Sequence, residues 1–145
     1  MVDAAPELRL LDALYRLNKL VVADARVHVA ASADLDLVDF LVLRTVKMGI
    51  DNPGDLVSDL GLNPSVLSRS LSRLVDSGLV TREIDVTDSR RSRIRLTDSG
   101  LQTTDDIGAR MRPSLAKRLQ LLPPNRIRVL LDSLDILCGD AVDRT

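Results

Sequence analysis

Ser65, Ser68, Arg69, Ser72 and Arg73 recur at intervals of three and four residues between Pro64 and Asp76. On a helix that spacing gathers side chains on one face. Hydroxyls and fork-shaped guanidinium groups arrayed in this way can serve phosphate oxygens and base edges. A second cationic group follows, in which Arg82, Arg90, Arg91, Arg93 and Arg95 outnumber Glu83, Asp85 and Asp88, and Asp88-Ser89-Arg90-Arg91 lies at its centre. Each cluster also has an ordinary reading, as a solvated helix face or a solubilising turn.

Other chemistry is sparse. His28 and Cys138 are the single histidine and cysteine, both in segments of helical pattern. They form no base–nucleophile pair, no metal-ligand spacing and no glycine-rich phosphate loop. No catalytic residue, metal or cofactor is expected. A lone histidine is expected to be structural or solvent-facing, and Cys138, beside Leu137, to be packed as a small apolar residue.

The elements that position the two cationic clusters can be read in chain order. Leu8, Leu11, Leu14, Tyr15, Leu17 and Val21 recur at helical spacing after Pro6, which predicts a long first helix reaching about Ala30. Ser32 to Asp36 supplies cap chemistry for a buried helix over Leu37 to Met48, interrupted by Asp39, Arg44 and Lys47 and stopped at Gly49. Asn52-Pro53-Gly54-Asp55 starts a short helix that Gly61 ends, and Asn63-Pro64-Ser65 repeats the starting chemistry at once. The next helix sets Val66, Leu67, Leu71, Leu74 and Val75 against its Ser/Arg face and closes at Asp76-Ser77-Gly78.

Beyond it the rhythm changes. Val80, Arg82, Ile84 and Val86 share one parity, and Ile94 and Leu96 alternate with Arg93 and Arg95, which predicts two strands joined as a hairpin with a basic tip. Thr97-Asp98-Ser99-Gly100 caps a helix that continues through Gly108 and Pro113 towards Leu122, with a bend expected near Pro113. Pro123-Pro124 separates it from a last amphipathic helix ending near Gly139. Helix, tight turn, Ser/Arg-faced helix and basic hairpin are the parts of a winged helix-turn-helix, with Pro64 to Asp76 in the recognition position.

The stretch Asp55 to Gly100 resembles the multiple antibiotic resistance regulator (MarR) family of bacterial transcription regulators. The likeness is carried by Asp55-Leu56, Leu60, Ser65, Ser68-Arg69, Leu71, Leu74, Gly78-Leu79-Val80, Arg82 and Asp85, by the D-x-R pattern Asp88-Ser89-Arg90, and by Leu96-Thr97 and Gly100. It implies a fold that is mainly α with a small β-hairpin. Residues 1–145 would form one domain, with a DNA-binding lobe over 36–100 and a helical dimerisation region from 1–32 and 101–145. It implies duplex DNA as partner, contacted through Ser65, Ser68, Arg69, Ser72, Arg73, Asp88, Arg90 and Arg91, with Arg90 in the minor groove and Asp88 holding it in place. A repressor acting as a homodimer on a pseudo-palindromic operator would follow. Some members bind small, often aromatic, acids in a cleft between the two regions and so release DNA. The resemblance thus adds a small-molecule effector of unknown site, although only Tyr15 and Phe40 could stack on one.

Composition agrees with a helical protein, since the apolar fraction of 45% contains those two aromatics alone and leucine dominates it. The net charge of −1 does not announce a polyanion partner, so the local arginine clusters must carry that reading. Apolar stripes on the first, fifth and last helices exceed what one small lobe can cover. Leu8, Leu11, Leu14, Ile127, Leu130, Leu131 and Leu134 are therefore the expected dimer-interface residues. No membrane-length apolar run and no signal-peptide pattern is seen, so a cytoplasmic protein is expected. The alternative from another class is a winged-helix protein-interaction module without DNA binding.

Overall fold

The structure, a computed structural model, describes residues 5–31, 34–88 and 91–139. Among the described residues the elements run α1 (Pro6–Ala30), α2 (Leu37–Lys47), α3 (Pro53–Leu60), α4 (Pro64–Asp76), β1 (Val80–Ile84), β2 (Ser92–Leu96), α5 (Asp98–Leu119) and α6 (Pro124–Cys138). The fold is mainly helical with one two-stranded antiparallel sheet.

The starts of the helices follow from their caps. Asp36 accepts a hydrogen bond from the Asp39 N–H at 2.9 Å and its own N–H donates to the Asp39 carboxylate at 3.1 Å, a reciprocal capping box at the start of α2. Asn52 caps α3 through the Gly54 N–H at 2.9 Å, and Asn63 caps α4 through the Ser65 N–H at 3.0 Å, each followed by a proline at the first helical position. Gly61 ends α3 in the left-handed region, at φ +61°, where a side chain would be strained, and this makes room for the three-residue turn into α4.

Contacts divide the chain into two compact units, Met1–Met111 and Arg112–Thr145. In the first, Val42 and Leu43 of α2, Leu56 of α3, Leu74 of α4 and Ile107 of α5 are wholly buried. β1 packs on α4, and β2 packs on α2 and α3. The hairpin pairs Val80 with Leu96 and Ile84 with Ser92, and the Ile94 N–H adds a bond to the Asp51 carbonyl at 2.8 Å, which fixes β2 to the link between α2 and α3. Thr97 joins the hairpin to α5: its hydroxyl donates to the Gly78 carbonyl at 2.6 Å and accepts from the Gly100 N–H at 3.0 Å. α5 starts so close to Leu79 that a Cβ on Gly100 would lie 1.9 Å from the Leu79 carbonyl oxygen.

The second unit holds the end of α5 and all of α6. α5 is continuous through Pro113, which offers no N–H to the carbonyl of Ala109, and the boundary between the units falls just ahead of it. α6 has no fully buried residue. Ile127, Leu130 and Leu134 are half-buried while Leu131 is exposed. In the first unit, Leu8, Leu11 and Leu14 on α1 are all exposed, with Leu11 keeping 64% of its surface. Cys138 is exposed at the last turn of α6, which corrects the expectation that it packs inside.

Candidate nucleic-acid interface

α4 is held by one side and open on the other. Leu67, Leu71 and Leu74 are buried, Val66 is half-buried and Val75 is exposed. Ser65, Ser68, Arg69 and Ser72 are exposed on the opposite face, where the sequence places them. Their hydrogen-bonding capacity differs. The Ser65 hydroxyl donates to Asn63 at 2.8 Å and the Ser72 hydroxyl to the Ser68 carbonyl at 3.0 Å, so each offers lone pairs in place of a free proton. Arg69 makes no ion pair with any described residue, which leaves its five donors available at the middle of the face.

Arg73 differs from the sequence reading. Its guanidinium is turned onto α2, where Nη2 donates to Asp39 Oδ1 at 2.9 Å and Nε to Asp39 Oδ2 at 3.3 Å. Nη2 also lies 3.3 Å from Asp36. The Asp39 side chain is only 1% exposed and takes a further bond from the buried Ser70 hydroxyl at 2.5 Å. Burial pushes the Asp39 carboxyl up, but the hydrogen bonds from Arg73, Ser70 and the Asp36 backbone, with the Arg73 charge, outweigh it and leave the group below its ordinary value. The hydrogen bonds that Arg73 donates to Asp39 hold its guanidinium above its own ordinary value.

Sequence reasoning missed Asp39 and Ser70. Asp39 looked like a break in the apolar pattern of α2, and Ser70 was assigned to neither side of α4. Yet Asp39 shares a helical face with Val42, Leu43 and Val46, and Ser70 one with Leu67 and Leu74, all of them buried. A polar residue on each of two apolar stripes was the available signal, because buried polar groups occur with partners.

The wing carries its charges in mixed company. Arg95 pairs with Glu83 at 2.9 Å, and Arg82 donates to Ser92 at 3.2 Å. The loop beyond is drawn together by the Asp85 N–H to the Arg91 carbonyl at 2.8 Å and the Arg91 N–H to the Asp88 carbonyl at 2.9 Å. The Asp85 carboxylate accepts from the Thr87 N–H and hydroxyl, which lower its pKa most, and the charges of Arg93 and Arg91 add to this against a small opposing effect of desolvation. Asp88 Oδ2 stands 3.9 Å from Arg91 Nε, a loose pair whose arginine side chain remains 73% exposed. Arg90, the residue that the D-x-R pattern singles out, lies outside the described residues, as does Ser89.

The shared parity of Val80, Ile84 and Val86 does not mean shared burial. Val80 is buried, whereas Ile84 is 68% exposed and Val86 fully so, because the hairpin runs out beyond the lobe that covers its base. Among the described residues no cluster of His, Cys, Asp or Glu has the arrangement of a metal site. No helix among them is long and apolar enough to cross a membrane.

Comparison with known proteins adds sequence and fold relatives. A MarR family model matches residues 33–91. Search of the curated proteins finds no match. Among solved structures, the transcriptional regulator BldR from Sulfolobus solfataricus is similar at a TM-score of 0.85 and 18% identity, over 96% of this chain and 99% of that one. A MarR-family transcriptional regulator from a Rhodococcus species is similar at 0.84 and 21% identity, over 94% and 96%. CouR from Rhodococcus jostii, solved with p-coumaroyl-CoA, is similar at 0.80 and 22% identity, over 94% and 96%. Identities of this size bear on the fold, and the match over residues 33–91 bears on the lobe that holds α3, α4 and the wing. The match over residues 33–91 thus likens that lobe to the MarR family in sequence, and the whole chain shares the fold of the solved structures.

Proposed function

We propose that the protein is a non-enzymatic transcription regulator that binds duplex DNA as a homodimer and represses from a pseudo-palindromic operator in the bacterial cytoplasm. The observation that carries this reading is α4: an apolar side anchored by Leu67, Leu71 and Leu74, and an outer side with Ser65, Ser68, Arg69 and Ser72 exposed. A helix in the major groove needs both. Arg69, at the centre of that side and paired with no described residue, is suited to a guanine edge through two parallel bonds. Arg91 and Arg90 of the wing would follow the flanking minor groove, with Asp88 orienting them.

Dimerisation is supported by the unburied leucines Leu8, Leu11 and Leu14 on α1 and Leu131 on α6, with Ile127, Leu130 and Leu134 half-covered beside it. A monomer seldom leaves so many large apolar side chains in water. A small-molecule effector is proposed, by analogy with CouR, whose structure holds p-coumaroyl-CoA. Ring stacking here would fall to Tyr15, which is 71% exposed, since Phe40 is buried.

The test is a salt titration of binding to the DNA upstream of this gene, with unrelated duplex as competitor. Wild type is expected to prefer the upstream duplex, and Arg90→Ala to weaken binding and lower the slope of log K against log salt by about 0.9, the share of one phosphate left unneutralised. Weak, sequence-blind binding untouched by the substitution would favour a protein-interaction module instead.

A further inference from the structure

Within the DNA-binding reading, on which this inference rests, one charged residue of α4 behaves unlike its neighbours. Arg73 follows Arg69 by one helical turn, about 40° round the axis towards the buried Ser70. Its guanidinium fork is closed on both oxygens of the Asp39 carboxylate, at 2.9 and 3.3 Å, and on Asp36 at 3.3 Å. Each Asp39 oxygen takes a second donor, Oδ1 from Ser70 at 2.5 Å and Oδ2 from the Asp36 N–H at 3.1 Å. Two acids against one arginine leave the cluster net negative, and the Asp36 side chain is 60% exposed at its rim. A phosphate brought to Arg73 would meet that carboxylate, so the cluster repels the partner that Arg69 attracts.

We propose that Arg73 is a positioning residue for recognition and not a DNA contact: with Ser70 it locks α4 to Asp39 and Asp36 of the α2 cap, and so fixes the rotation at which Ser68 and Arg69 face the groove. The apolar side of α4 leaves that rotation loosely set, because leucines slide on one another more freely than directional bonds allow. Three bonds from α4 to one buried carboxylate, with a further bond from Arg73 to Asp36, define it. The arrangement also explains why arginine stands here, since lysine offers a point charge and cannot close on two oxygens of one acid and a third of another.

The experiment compares wild type with Arg73→Lys, Arg73→Gln, Asp39→Asn and Ser70→Ala, each against the preferred duplex and an unrelated one over a range of salt. All four are expected to lower the preference for the specific duplex, the first three by about tenfold or more and Ser70→Ala by about threefold, as for charge-assisted and neutral bonds respectively. The salt slope stays at its wild-type value, and Asp39→Asn with Arg73→Gln together cost no more than the larger single change. Hydrogen exchange without DNA is expected to be faster across α4 in Asp39→Asn while the rest of the lobe stays protected. The opposite pattern overturns the proposal: Arg73→Lys binding as wild type, and Arg73→Gln lowering the slope by about 0.9. Unchanged exchange in α4 overturns the clamp itself, whatever the DNA data. Should Asp39→Asn fail to fold, Ser70→Ala and Arg73→Lys give the same decision. A wild type without preference for any duplex removes the DNA-binding reading and the aiming role together, whereas preference retained by every variant removes the aiming role alone.

Discussion

At the residue scale, an acid that interrupts an apolar run turns out to hold two helices in register. Asp39 is buried and accepts from Arg73, Ser70 and the Asp36 N–H, partners that a linear reading does not bring to it. Its pKa lies below the ordinary 3.8, so its contribution to stability is complete above the unfolded-state value and is lost as pH falls through the lower folded-state one. Acid unfolding followed by circular dichroism is expected to show this loss in wild type and a flatter dependence over the same range in Asp39→Asn. Gly100 makes a different demand, since a methyl there would lie 1.9 Å from the Leu79 carbonyl oxygen. Gly100→Ala is expected to cost at least about 2 kcal/mol in urea unfolding, because backbone must shift to admit it. On the outer face, Arg69→Ala is expected to weaken specific binding by about 1–3 kcal/mol in a DNA titration and to relax the preference at one base pair. The exposed face of Ser65, Ser68, Arg69 and Ser72 was legible in the sequence because helical spacing alone sets it. The engagement of Arg73 was not, because it depends on a partner 34 residues away.

At the element scale, the helices and strands were legible almost to their ends, for reasons that are local. Asparagine followed by proline marks the starts of α3 and α4, Asp36 marks the start of α2, glycine follows the last turn of all three, and each N-cap bond is present. The wing was legible as an alternation but not as a burial pattern. Parity says which residues share a face and not whether anything covers it, and Ile84 and Val86 lie past the covered base of the hairpin. The bond from the Ile94 N–H to the Asp51 carbonyl was equally hidden, since it joins β2 to a loop of no regular pattern. The base of the hairpin is held by this bond and by the packing of β1 on α4, so a wing cut short beyond that base, by replacing residues 86–91 with a two-residue turn, is expected to leave α4 folded. Such a protein should bind DNA with a lower salt slope, by about 0.9 for each phosphate the wing no longer neutralises, in the same titration.

At the scale of the whole molecule, net charge and family likeness point in different directions until the charges are placed. In the proposed reading a chain of net charge −1 addresses a polyanion through Arg69, which pairs with no described residue, while Asp36, Asp39 and Glu83 neutralise arginines that serve the fold. Its unburied leucines are the basis of the proposed homodimer. Leu11→Glu, on a residue 64% exposed in the single chain, is expected to change the lobe's own packing little and yet to halve the mass seen in sedimentation. The most direct measurement of the central claim is a hydroxyl-radical footprint of the wild-type protein on the DNA upstream of its gene, with binding stoichiometry measured alongside. Two chains per duplex, protecting two half-sites about 10 base pairs apart and related by a pseudo-twofold axis, are the predicted result. A single protected patch with one chain bound, or no protection at concentrations where the protein is dimeric, would contradict a regulator that reads DNA as a symmetric pair.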